Sequence, residues 1–374
     1  MKFDRKELLD SLQMLKPALG AASTSIQELK HIWFDGDFAF TYNGGLGIRV
    51  SLKSGLKFGV PGPPLLGLLS DDTVKEVTLE AKNNTLEVEL GKASAKLVTL
   101  PLDNSPWNFP LKPAKEAVEL ELTEELLTAL KRVSIIKARP AVRTEHYGVV
   151  TFPDKDTVSL YSTDSKALVE VILEVKLPKG LSKLVLPHEF VDVVTRFCEP
   201  GTAIYLGTNC FQAQSEKVLI CSNVLDSSNL QDIPALVDSI LSGKPVYAPL
   251  PDTLRLALDR VEVLAGGGDA YVNLETDGVG SLILNGRLTY GDFKEIFKLA
   301  KEVKPAKITV DARLLRVGLA EALRFTITKR ALVMQGEDGF LFLVTSHEPM
   351  HVEQKADKGS TRVRPKAKDD EIPF

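Results

Sequence analysis

"KLVLPHEFVDVVTRF", residues 183–197, is the stretch on which the fold turns. Leu184, Val185 and Leu186 favour a strand, and Pro187 suits a helix start because it has no N–H to lose there. Phe190, Val191, Val194 and Phe197 then recur at helical spacing, so a strand passes directly into a short amphipathic helix. The same order returns in "KFGVPGPPLLGLL" (57–69) and "KITVDARLLRVGLAEAL" (307–323), with Pro61 and Asp311 at the junction. Asp is as reasonable there as Pro, since its carboxylate caps free helical N–H groups.

A second unit repeats in step. "ELLDSLQML" (7–15), "ELLTALKRV" (125–133) and "DTLRLALDRV" (252–261) each carry leucines on one buried stripe, and Leu8, Leu126 and Leu254 correspond. The period is about 120 residues. Alternating strands follow each Pro- or Asp-started helix: "EVTLEAKNNTLEVEL" with "AKLVTLP", "AIYLGTNCFQAQ" with "KVLICSNVL", and "FTITKRALVMQ" with "FLFLVTS". Asn-Asn, Thr-Asn and Gly mark their turns, and Asp35-Gly36 makes a tight turn in "HIWFDGDFAFTY". The expected fold is α+β, in three tandem copies of two helices and about eight short strands. Joins near "LKPAKEAV" and "DSILSGKPV" give boundaries of 1–115, 116–242 and 243–349, with a tail over 350–374. The stretch 352–368 is poor in apolar residues and is expected to be disordered.

Composition narrows the function. With 374 residues and 44% apolar content the chain can build several cores. It has no apolar run long enough for a membrane span and no export signal, so a cytoplasmic protein is expected. Cys198, Cys210 and Cys221 read as free thiols of a reducing compartment. Net charge is -4 and pI ≈ 5.9, so nucleic acid could be held only by a locally basic surface. "NGGLGIRV" and "AGGGDAY" read as turns, not phosphate loops. The thiols lack zinc-finger spacing, and His31, His146, His188, His347 and His351 are scattered. No metal, cofactor or catalytic residue is expected, and a binding protein is favoured over an enzyme.

This order of elements resembles the bacterial sliding clamp, the β subunit of DNA polymerase III. The likeness runs from residue 1 to about 348. It rests on "MKF" before a helix, "TLPLDNSPWNFP" (99–110), "AVRTEHYGVVTF" (141–152), "LYSTDSKALVEV" (160–171) and "LDSSNLQDIPAL" (225–236). It implies a head-to-tail homodimer: a six-domain ring with helices lining a hole, threaded by double-stranded DNA. It also implies a DNA polymerase and a clamp loader as partners. Basic residues expected to face the hole are Lys6, Lys131, Lys137, Arg139, Arg143, Arg196, Arg255, Arg260, Arg313 and Arg316. Two departures weaken the expected DNA grip: "GPPLLGLLSDD" has no basic residue, and His188-Glu189 stands where basic residues are frequent.

By the same resemblance, Thr163, Leu168, Leu236, Leu343 and Val344 would line an apolar pocket for partner peptides. Ser165-Lys166-Ala167 replaces the family's frequent Gly-His-Arg, so altered preferences are expected there. Trp107 and Phe109 would meet Val263 and Leu264 of a second copy at the dimer seam. The stretch "DDEIPF", Asp369, Asp370, Glu371, Ile372, Pro373 and Phe374, resembles the tip of bacterial single-stranded DNA-binding protein. That implies partners which recognise this tip, with Phe374 as aromatic anchor and the acids steering it to a basic surface. The extended tail suggests a non-standard member, such as one carried by a phage or plasmid. Two other readings remain open: a clamp-like scaffold or decoy that does not encircle DNA, and a nucleic-acid-processing enzyme.

Overall fold

The computed structural model describes residues 1–136, 144–154, 156–175, 183–242 and 245–347. Three helix pairs organise it. Helices α1 (Arg5–Gln13) and α2 (Gly62–Leu69) pack together, as do α3 (Glu124–Val133) with α4 (His188–Phe197). Helix α5 (Ile233–Leu241) stands alone before the third pair, α6 (Leu254–Ala265) and α7 (Ala312–Gly318). Four of the helices start at a side-chain cap. The Asp4 carboxylate accepts from the Glu7 N–H at 2.9 Å, and Thr123 Oγ1 accepts from Leu126 N at 3.2 Å. Asp311 Oδ1 accepts from Arg313 N at 2.9 Å. Pro61 and Pro187 end their strands and precede α2 and α4, as the junction residues predict. In α3, Glu124 and Glu125 in the first turn and Lys131 and Arg132 in the last complement the helix dipole.

Two expectations change. Helix α7 ends at Gly318 instead of running to Leu323, and a strand begins at Ala322. A Cβ on Gly318 would lie 2.4 Å from Met334 Cε and 2.7 Å from Phe342 Cδ1, so only glycine lets α7 lie this close to the sheet. The join between the second and third repeats, where the sequence suggests no helix, overlaps α5. Asp232 Oδ1 caps it through Ala235 N at 3.2 Å, and Ile233, Val237 and Ile240 are buried on one face.

Four antiparallel sheets pack against these helices. A nine-stranded sheet is continuous because strand Leu46–Ser51 pairs with Val218–Asn223, Val50 opposite Val218. An eight-stranded sheet is continuous because Ala167–Glu174 pairs with Phe340–Thr345, Leu168 opposite Leu343. Each of these two sheets thus joins strands of neighbouring repeats. The remaining sheets have four strands each. One ends in Ala93–Val98, which pairs only with Thr85–Leu90, and the other in Gly291–Lys298, which pairs only with Ser281–Leu288. Among the described residues, these two strands have no partner on their outer edges.

Candidate functional site

The paired helices carry the residues assigned to a DNA-facing surface. Lys6 on α1, Lys131 on α3, and Arg196 on α4 are exposed, as are Arg255 and Arg260 on α6 and Arg313 on α7. Arg316 is half-buried. Lys137, Arg139 and Arg143 lie outside the described residues. Several of these charges are already engaged. Arg260 donates to Glu295 at 2.5 Å, and Arg313 pairs with Asp311 at 3.0 Å. Arg316 pairs with Asp259 at 3.1 Å and also with Glu262. Lys6, Lys131, Arg196 and Arg255 form no ion pair among the described residues. Arg196 instead lies 5.1 Å over the Phe197 ring.

Two arginines were not among the candidates, and both hold structure. Arg5 donates to the carbonyls of Leu69 and Val74, each at 2.9 Å, closing the C-terminal end of α2. Arg132 on α3 meets Glu321 at 3.1 Å and Asp338 at 3.5 Å, tying the second repeat to the third. Over the six paired helices, nine Lys and Arg residues stand against eight Asp and Glu. The helices are close to neutral, and α2 carries no charge at all.

The pocket residues fall into two environments. Leu168 and Leu343, opposite each other in the ladder, are buried with Ile233, Val237 and Ile240 of α5. Leu236 is half-buried at the edge of that cluster, and Thr163, half-buried, donates its hydroxyl to Ala167 O at 2.8 Å. Val344 packs in the main core instead, because neighbours along a strand point to opposite faces. A surface groove over Leu168 and Leu343 is therefore largely filled from within, by α5. Beneath them Tyr161 donates to Glu170, and burial raises both their pKa values above the ordinary range.

Trp107 and Phe109 correct the expected dimer seam. Phe109 is buried and Trp107 half-buried, both against the chain's own Leu29, Tyr42, Leu219 and Cys221. Their rings meet Tyr42 at 5.5 Å and Phe40 at 5.4 Å, edge-on in each case. Trp107 Nε1 donates to Phe109 O at 2.9 Å. This aromatic segment plasters the junction of strands Leu46–Ser51 and Val218–Asn223, so it is spent inside the molecule. Val263 differs: it is 74% exposed near the end of α6, while Leu264 packs on the core. Leu264 O accepts from Tyr290 N, one residue before the unpaired strand Gly291–Lys298.

Nothing in the described residues assembles a reactive centre. Burial pushes the Cys198 thiol up to about 11 and Cys221 to about 12, so both stay protonated near neutrality and are poor nucleophiles. No group of three His, Cys, Asp or Glu residues could hold a metal among the described residues. No described helix is long and apolar enough to cross a membrane.

Neither a protein-family model nor a curated protein sequence matches the chain. Solved structures do. The DNA polymerase III beta subunit of Thermotoga maritima superposes with a TM-score of 0.79 at 17% identity, over 93% of this chain and 99% of that one. The DNA polymerase sliding clamp of Bacillus subtilis gives 0.76 at 16% identity, covering 93% and 98%. The DNA polymerase III subunit beta of Pseudomonas aeruginosa gives 0.75 at 17%, covering 93% and 99%. The fold is that of these sliding clamps.

Proposed function

We propose that the chain is a DNA sliding clamp: two copies joined head to tail around duplex DNA, tethering a replicative polymerase after a loader has opened the assembly. One observation carries this reading. At both internal seams, the third strand after the second helix of one repeat pairs with the third strand after the first helix of the repeat before it. Applying the same rule once more leaves Ala93–Val98, the third strand after the second helix of the first repeat, and Gly291–Lys298, the third after the first helix of the last repeat. Each forms one outer edge of a four-stranded sheet, with no partner on that side among the described residues. A single chain cannot satisfy both unless it closes on itself, whereas two chains satisfy all four edges with twofold symmetry. Exposed Val98 and Ile296 lie on these strands, and Leu256, Val263 and Tyr290 are exposed nearby on α6 or beside it. Such apolar surface is what an interface covers.

The nearly neutral helices fit retention by topology better than retention by charge. Few free cations neutralise few phosphates, so binding would be weak and its salt dependence shallow. The expected result is a complex that survives high salt on nicked circular DNA and is lost when the circle is cut, read by gel filtration of DNA-bound protein. Equal loss from circular and linear DNA would sink the reading. The same charge balance favours a second one, a clamp-like scaffold or decoy that binds replication proteins without encircling DNA. That reading predicts partner capture with no topological retention.

The segment from Asp369 to Phe374 supports a further element of the proposal, the recruitment of proteins that recognise the tip of single-stranded DNA-binding protein. A phage or plasmid origin would suit such competition for host enzymes. Deleting Phe374 is expected to abolish pull-down of those proteins from a bacterial extract. Unchanged capture would remove this part of the proposal and leave the clamp intact.

A further inference from the structure

A groove of about 980 Å³ opens between the end of α5 and the outer strands of the third repeat. Its floor is apolar: Val303 and Ile327 are half-buried, Phe325 is buried, and Val246 is exposed. Its rim carries Lys304, Lys307, Lys329 and Arg330, all exposed, and no acidic residue lines it. None of the four cations forms an ion pair among the described residues, although Glu275 stands opposite Lys307 in the ladder. Four unneutralised cations around an apolar floor call for an occupant both acidic and apolar.

The chain itself supplies one. Ser346 N donates to Arg330 O at 3.3 Å and His347 N to Thr309 O at 2.8 Å, so the last described residues pass the groove's rim and end two residues along the strand from Lys307. Residues 348–374 follow, enough chain to span roughly 90 Å if extended. Glu348, Glu353 and Asp357 alternate with Lys355 and Lys358 in its first part; the next part, to Lys368, is basic through Arg362, Arg364, Lys366 and Lys368, and the rim would repel it. Three acids stand together, with no cation among them, at Asp369, Asp370 and Glu371, directly before Ile372, Pro373 and Phe374. Charge and apolarity therefore coincide in one short stretch, as they do in the groove.

We propose that the segment Asp369–Phe374 docks in this groove of its own chain, its acids against Lys304, Lys307, Lys329 and Arg330 and its Ile372 and Phe374 over Val246, Val303 and Ile327. Tethering at the rim raises the local concentration of the segment to the order of millimolar, so weak contacts suffice to hold it. Docked in this way the segment is withheld from outside partners, and a partner must outcompete the groove to take it. Docking depends neither on closure of a two-chain assembly nor on which partner the segment serves.

The test uses the full chain with Phe374 replaced by p-benzoylphenylalanine, irradiated and mapped by mass spectrometry after mixing isotopically heavy and light chains. Crosslinks are expected within 239–246, 303–307 or 325–330 of the same chain. The exposed pair Lys329→Glu and Arg330→Glu should lower that yield about tenfold, and Asp369→Lys with Asp370→Lys and Glu371→Lys should do the same. Crosslinks elsewhere on the body, crosslinks between heavy and light chains, or a yield indifferent to both sets of substitutions would overturn the proposal. Loss of DNA retention with the crosslink intact would count against the clamp reading alone.

Discussion

Chains carrying both Val98→Asp and Ile296→Asp are expected to sediment as single molecules of 40.9 kDa where the unaltered protein sediments at twice that mass. Val98 is 68% exposed and Ile296 59%, and they lie on two edge strands that the pairing rule between repeats leaves unmatched. In a single chain their substitution removes little, so its stability should change by no more than about 0.5 kcal/mol. In a closed pair each would be covered, and an apolar side chain of this size contributes about 1.5–3 kcal/mol when fully buried. A carboxylate placed there must also lose water without gaining a partner. Each closed pair has two such seams, so the dissociation constant should rise by on the order of a thousandfold or more. An unchanged mass with both substitutions in place would mean that these edges do not join the copies. Retention on circular DNA should disappear together with the assembly.

The second large effect is internal. Phe342→Ala should lower stability by about 3–5 kcal/mol, read as the shift in the denaturant midpoint multiplied by its slope. Phe342 is 0% exposed and stands opposite Val169, in the seam that makes the eight-stranded sheet continuous. It fills the space that Gly318 leaves open under α7, so truncation leaves a cavity bounded by backbone that cannot follow it inward. A loss below about 1 kcal/mol would show that this seam is not packed as described. Leu343→Ala tests the opposite face of the same strand, where α5 is the lid.

Much of the fold could be read from short windows because its signals are local. Pro61, Pro187 and Asp311 mark strand-to-helix junctions by their own backbone chemistry, and all three sit at those junctions. Asn83 and Asn84 both take the left-handed conformation that a tight hairpin requires. Helix α5 was equally legible, since Asp232 precedes Ile233, Val237 and Ile240 at helical spacing. Pro234 at its start and the serines around it suit a turn as readily as a helix.

What stayed hidden was non-local. Nothing near Trp107 or Phe109 says that Leu219 and Cys221, more than a hundred residues later, will cover them. Exposed aromatics and seam-filling aromatics look alike until strand pairing between repeats is known. The candidate cations suffered similarly. Arg132 went unselected although it bridges two repeats, while Arg260 and Arg316 were chosen before Glu295, Asp259 and Glu262 were known to stand beside them. The groove around Lys304 and Arg330 draws on four separate parts of the chain, and no single window contains it.

The central claim is that the edges of Ala93–Val98 and Gly291–Lys298 close on each other between two copies. Electron images of the purified full chain test it most directly. The account predicts a closed two-chain ring in which Ala93–Val98 of one copy lies beside Gly291–Lys298 of the other, with helices lining the hole. Single open chains at micromolar concentration, or a dimer that leaves those two strands uncovered, would contradict it.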